Sequence, residues 1–317
     1  MHQVATLEQI EQALTRIDPF PLLEAGFVAF SKGEVVIPPV GEMIFDKGDC
    51  HIKYGFIKGG DMFVVKIANY FPGNALRGRA ADDGAVLLFD QNDGSLIAVL
   101  ADRGRLTQLR TAVAGAIAAR YLAPTRVDAI GIIGTGSQAR LQLEQLARVT
   151  PCRTVLVHGR DAQRAEQYCK DVAAWGFDAR PAATPAEVAA SCNLIVTTTP
   201  SDAPLLRAGD IRPGTHITAM GSDSPGKQEL DPGILGQADI VVVDSRDHAS
   251  RLGELNHALK GGVLSIDTVR ELGEVIADPP LRRTSDDQRT VADLVGLAVQ
   301  DIQMAKSVWA ALSGSEH

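Results

Sequence analysis

Asp128 opens the run Asp-Ala-Ile-Gly-Ile-Ile-Gly-Thr-Gly-Ser-Gln-Ala, where a short apolar stretch meets small residues spaced GxGxxA. The chain then passes straight into the helical pattern SQARLQLEQLARV. A strand that turns this tightly into a helix must return through a crossover, and that commits the segment to a parallel βαβ unit. Gly134 permits the turn, Gly136 lets the backbone approach a pyrophosphate, and the small Ala139 lets the helix pack close to the strand. The helix start adds unpaired N–H groups and the positive end of a dipole. Gly134, Thr135, Gly136, Ser137 and Gln138 are therefore candidate dinucleotide contacts.

The same rhythm continues downstream. RTVLVHG reads as a strand, DAQRAEQYCKDVAAWG and TPAEVAASC as helices, and LIVTTTP, THITAMG and DIVVVD as further strands. Alternation at these lengths predicts a doubly wound parallel sheet of Rossmann type. The second strand ends at Gly159-Arg160-Asp161. A carboxylate there suits the ribose hydroxyls of NAD and an arginine suits a 2′-phosphate. Arg160 stands closest to the expected position, which leans the reading towards NADP over NAD.

Ahead of this region the pattern differs. Residues 5–17 read as a helix with Ile10, Leu14 and Ile17 on one face. From Phe27 onward come short β-like runs, GEVVIPP, HIKYGFIKG, MFVVKIANYF, AVLLFD and SLIAVL, punctuated by DKGD, KGGD, FPGN and DQNDGS. Such spacing predicts an antiparallel sheet. The Ala-rich helix at 107–121 bridges to the parallel region. After about Asp278 the chain turns polar, then ends in VADLVGLAVQDIQMAKSVWAAL, read as one long helix returning to the first domain. The fold class is thus α/β: a Rossmann-type doubly wound parallel sheet plus an α+β N-terminal domain completed by the C-terminal helix. The expected domains are 1–120 plus 288–317, and 121–287.

A chain of 317 residues is long enough for two such cores. Its formal net charge of −8 repels phosphate backbones and makes nucleic acid a poor partner. Apolar stretches are too short and interrupted for a membrane span, and the N-terminus lacks the continuous apolar core of a signal peptide. Four scattered cysteines, without zinc-ligand spacing, read as reduced thiols with no metal. The expected setting is cytoplasmic.

Four stretches in order, FVVKIANYFPGN, LTQLRTAVAGAIAARYLAP, IGIIGTGSQA and ITAMGSDSPGKQELDP, resemble the ornithine cyclodeaminase and mu-crystallin family over nearly the whole chain. The resemblance implies an N-terminal domain that dimerises and supplies the substrate pocket, beside a Rossmann domain. It implies that Lys66 and Arg110 act on the substrate carboxylate. A lysine amid Val64, Val65 and Ile67 independently points to a cleft. The resemblance further implies Asp223 as proton carrier, and Lys227, Met220, Gly221, Ser222, Thr198 and Thr111 near the cofactor. Val291 would be a pocket wall in the returning segment. The sequence departs from the pattern at Val40-Gly41-Glu42, where many members carry a carboxylate-gripping arginine. Lys53 is a candidate replacement, and Glu42 a candidate for a second amine.

The implied activity is NAD(P)H-dependent reduction of an imine of a 2-oxo acid to an amino acid, or its reverse. The small-molecule partner is an amino acid or imine. A cyclodeaminase, releasing ammonia with zero net redox, uses the same residues; a crystallin-like binding protein is the third reading.

Overall fold

The computed structural model describes residues 3–314. The strands and helices run in chain order as β1 (Gln3–Ala5), α1 (Leu7–Leu14), α2 (Pro19–Ser31), β2 (Val35–Val36), β3 (Gly41–Phe45), β4 (Gly48–Ile57), β5 (Met62–Tyr70), β6 (Asp82–Asp90), β7 (Leu96–Leu100) and α3 (Arg105–Leu122). There follow β8 (Ile130–Ile133), α4 (Ser137–Leu146), β9 (Thr154–His158), α5 (Ala162–Ala173), β10 (Asp178–Pro181), α6 (Pro185–Ser191), β11 (Leu194–Thr197), β12 (Asp202–Leu206), β13 (His216–Ala219) and β14 (Gln228–Leu230). The chain closes with α7 (Pro232–Gly236), β15 (Ile240–Val243), α8 (Arg246–Ala249), α9 (Gly253–Lys260), β16 (Arg270–Glu271), α10 (Leu272–Ala277), β17 (Thr290–Asp293) and α11 (Ala298–Ser313). Two compact units result, 1–110 with 297–317, and 111–296.

The first unit is built on the sheet β1-β7-β6-β5-β4-β2, with β3 also paired to β4. The strands from β2 to β7 are antiparallel. Alternation along β5 sends Met62, Val64 and Lys66 to one buried face, where Val86 and Leu88 of β6 join them. Helix α11 packs against β4 and β5, and α1 and α2 pack on α11. Two expectations need correction here. Ala5, expected to start a helix over 5–17, instead ends the strand β1, and β1 joins β7 in parallel, so the sheet is mixed. The helix starts only after Thr6, whose side chain closes a capping box with Gln9.

The second unit holds an all-parallel sheet of order β10-β9-β8-β11-β13-β17-β15-β16. Its central strands are buried along their whole length, as a sheet covered on both faces requires. The order reverses between β8 and β11, which places the ligand-binding switch point at the carboxyl end of β8. The C-terminal expectation changes too. Thr290–Asp293 forms β17, inserted between β13 and β15, not the start of the last helix. Gly296, with φ +87, turns the chain before α11. The units therefore divide within α3 at 110/111 and before Leu297, rather than at 120 and 288.

Candidate active site

In the second unit, the turn from β8 to α4 is built for close approach. Gly134 has φ +122, and a Cβ there would collide with Thr198 Oγ1. Gly136 is the N-cap of α4 with no side-chain cap, and a Cβ there would meet nothing within 4 Å. Arg140 reaches back from α4 to the Thr135 and Gly136 carbonyls at 2.6 and 3.2 Å, while Asp171 holds its other edge at 3.0 and 2.5 Å. The glycine turn is thus fixed, and the Cβ direction at Gly136 opens onto free space. Thr198, at the end of β11, donates to the Ile133 carbonyl at 3.3 Å. At the end of β9, Arg160 is exposed. Asp161 caps α5, accepting from the Gln163 and Arg164 backbones at 2.9 and 3.2 Å.

The loop after β13 carries the second cluster. Lys227 Nζ donates to Asp223 Oδ1 at 2.7 Å, and Ser222 Oγ donates to the Lys227 carbonyl at 2.7 Å. Asp223 is about half exposed, at 52%. Under this loop lies Glu229, fully buried and unforeseen from the sequence. Its carboxylate accepts from Thr197 Oγ1 at 2.7 Å, Thr199 N at 2.6 Å, Thr199 Oγ1 at 2.7 Å and Gly221 N at 2.8 Å. Burial pushes the Glu229 carboxyl above its ordinary range, and the four donors oppose that. No periodicity marks Glu229 in Gln-Glu-Leu, so the sequence offered no signal.

In the first unit, Lys66 and Arg110 are both buried and meet at Asp301 of α11. Lys66 Nζ lies 3.0 and 2.9 Å from the two Asp301 oxygens, and Arg110 Nε lies 3.3 Å from Oδ1. Gln300 Oε1 accepts from Arg110 Nη1 at 2.7 Å. Burial pulls the Lys66 ammonium down to about 7, Arg110 and Lys53 add to the pull, and Asp301 opposes it. Burial alone would raise the Asp301 carboxyl, but Lys66 and Arg110 outweigh it and hold it below the usual range. Lys53 sits directly across from Lys66 in the β4–β5 register. Glu42 pairs instead with His51, whose Nε2 is 3.8 Å away. Asp301 was missed, yet a signal existed: it falls on the buried stripe of α11 with Met304, Ala305 and Val308. An acid on an apolar stripe needs a buried cation.

The sequence-predicted residues thus gather in three places. Lys66, Arg110 and Lys53 share one face of the first unit. The glycine turn with Arg160 and Thr198 frames the ends of β8, β9 and β11, and Met220 to Lys227 follows β13. Thr111 adjoins Arg110 in α3, and its carbonyl accepts from Gln142 Nε2 at 3.1 Å. Val291 is a correction. It lies inside β17, within the apolar core of the parallel sheet, and not in the segment that returns to the first unit.

Comparison with known proteins gives a consistent set. A model of the ornithine cyclodeaminase/mu-crystallin family matches residues 1–316. The alanine dehydrogenase of Archaeoglobus fulgidus is 37% identical, over 96% of this chain and 94% of that protein. The iminosuccinate reductase of Paracoccus denitrificans is 32% identical, over 96% and 95%. An archaeal alanine dehydrogenase dimer with bound NAD superposes with a TM-score of 0.89 at 34% identity, covering 99% of this chain and 96% of that one.

Proposed function

The chain belongs to the ornithine cyclodeaminase/mu-crystallin family, and from that premise we propose that it is an NAD(P)-dependent oxidoreductase acting at a Cα–N bond. It reduces an imine of a 2-oxo acid to the amino acid, or runs the reverse dehydrogenation. The observation that carries this reading is the buried Lys66–Arg110 pair, two cations held out of water against the single carboxylate of Asp301, which leaves one positive charge for an anionic ligand. Lys66 and Arg110 grip the substrate carboxylate, and Lys53 takes the part of the arginine absent at 40–42. Glu42 is left for a second amine in a diamino acid. Asp223, held by Lys227, carries the proton that the imine nitrogen needs as it becomes an amine.

The residues present fit a nicotinamide dinucleotide. The open space at Gly136 and the uncapped start of α4 suit a pyrophosphate. Thr135, Ser137 and Gln138 extend that contact, and Thr198, Met220, Gly221, Ser222, Lys227 and Thr111 complete the cofactor set. When bound, the cofactor supplies or accepts the hydride. NADP is the proposed preference, because Arg160 is exposed while Asp161 is engaged as a helix cap. A homodimer is proposed as well. Strand β3 is an outer strand whose Met43, Ile44 and Phe45 are exposed, with Tyr54 and Tyr70 nearby on β4 and β5.

The test is a cofactor-oxidation screen with both NADH and NADPH, across 2-oxo acids with amines and preformed cyclic imines such as pyrroline-2-carboxylate. Turnover with at least one imine is expected, and Asp223→Ala is expected to lower kcat by about 10²–10⁴. A fully active variant refutes the role of Asp223. Ammonia release from ornithine without net cofactor change replaces the reductase with the lyase.

A further inference from the structure

We propose that Asp301 is a positioning residue of the substrate-carboxylate site: it holds Lys66 and Arg110 side by side and leaves them one positive charge for one carboxylate to balance. The inference rests on reading Lys66 and Arg110 as carboxylate ligands. One Asp301 oxygen lies near both cations, and the second lies 2.9 Å from Lys66 Nζ. Its neighbour Gln300 accepts from the far side of the Arg110 guanidinium. Consecutive residues of α11 therefore fix both cations, and all four residues are at most 5% exposed.

The charges explain why an acid is needed. Lys66 faces Asp301 from α11, Arg110 from α3, Lys53 from β4 and Asp102 from the loop after β7. Two of these four neighbours are cations. Without Asp301, Lys66 stands buried beside Arg110 with its hydrogen-bonded counter-charge gone, and the proton on its Nζ is the cheapest charge to lose. A neutral Lys66 no longer attracts a carboxylate. Asp301 therefore sets the pH below which the site holds its anion. An acid that only tied α11 to the sheet would set no such limit.

The experiment measures binding of pyrrole-2-carboxylate, an unreactive planar carboxylate, to the NADPH-loaded protein by calorimetry between pH 5.5 and 9. The wild-type affinity is expected to fall as pH rises through about 7. In Asp301→Asn this fall is expected at least one pH unit lower, about tenfold weaker binding at neutral pH. Asp301→Glu, which keeps the charge but moves it by a methylene, is expected to keep the wild-type pH limit with several-fold weaker binding. If Asp301→Asn folds and keeps the wild-type profile, the proposal fails. If it does not fold, Asp301→Glu decides, and unchanged affinity there overturns the positioning role. Lys66→Met and Arg110→Met separate the two levels: if both bind the probe like wild type, the carboxylate reading fails first.

Discussion

Gly134 and Gly136 stand two residues apart in one turn, and a side chain does opposite things at the two positions. At Gly134 the backbone has φ +122 and a Cβ meets Thr198, so the glycine serves the chain itself. Gly134→Ala is expected to destabilise the protein by about 1–3 kcal/mol, the usual cost of forcing a side chain into such a conformation. At Gly136 the backbone has φ −81 and the Cβ direction is open. That glycine leaves the start of α4 open to a ligand. Gly136→Val is expected to lower the melting temperature by no more than a few degrees, the cost of a poorer N-cap, while weakening NADPH binding at least tenfold in a fluorescence titration. Normal cofactor affinity in that variant would mean that the phosphates lie elsewhere. The sequence spacing identifies both glycines but cannot divide these roles, because the division depends on where Thr198 returns at the end of β11.

At the scale of elements, Glu229 is what ties the strand ends together. From β14 it accepts hydrogen bonds from Thr197 at the end of β11, from Thr199 just past it and from Gly221 beyond β13. Gly221 passes so close to Thr199 that no side chain fits. The loop bearing Asp223 therefore starts from an anchored point. Glu229→Gln turns one acceptor into a donor facing donors, and each buried unsatisfied group costs about 1–3 kcal/mol. The expected result is a lower urea midpoint together with a kcat loss larger than any change in KM, since Asp223 loses its fixed place. A variant with wild-type kcat would sever Glu229 from the chemistry. Such contacts explain which parts of the fold were legible in the sequence. Between Asp128 and Val243 the strands β8, β9, β11, β13 and β15 and the helices α4, α5 and α6 each carry their own period, so that alternation reads directly, whereas the short β10, β12, β14 and α7 carry none. The segment Val291-Ala292-Asp293-Leu294-Val295 reads equally well as helix or strand, and only its neighbours β13 and β15 decide. β1 is likewise settled by β7. Lys66 announced itself by standing in an apolar strand and Asp301 by falling on the apolar stripe of α11, whereas Glu229 acquires meaning only from Thr197, Thr199 and Gly221, 8 to 32 residues away.

For the whole molecule, the open question of self-association turns on the outer strand β3. A chain of net charge −8 repels copies of itself at long range, so any lasting contact must come from a specific apolar surface. Such a surface exists where Met43, Ile44 and Phe45 follow one another on an outer strand, with Ile44 71% exposed. Consecutive residues point to opposite faces of a strand, so β3 is apolar on both sides as well as along its unpaired edge. A single sheet face covered by a helix would leave only one side apolar. That arrangement suits a second copy that pairs with or wraps the edge. A negative charge in the middle of it would have to be buried unpaired in the dimer, at a cost of about 3–5 kcal/mol, or a 10²–10³-fold or greater loss of association. Light scattering is therefore expected to give a dimer for the wild-type protein and a monomer for Ile44→Glu at micromolar concentration. Cofactor binding should survive, because the glycine turn and its supports lie wholly within residues 111–296. A wild-type protein that remains monomeric at all concentrations would remove the dimer, and a dimeric Ile44→Glu would place its interface on another surface.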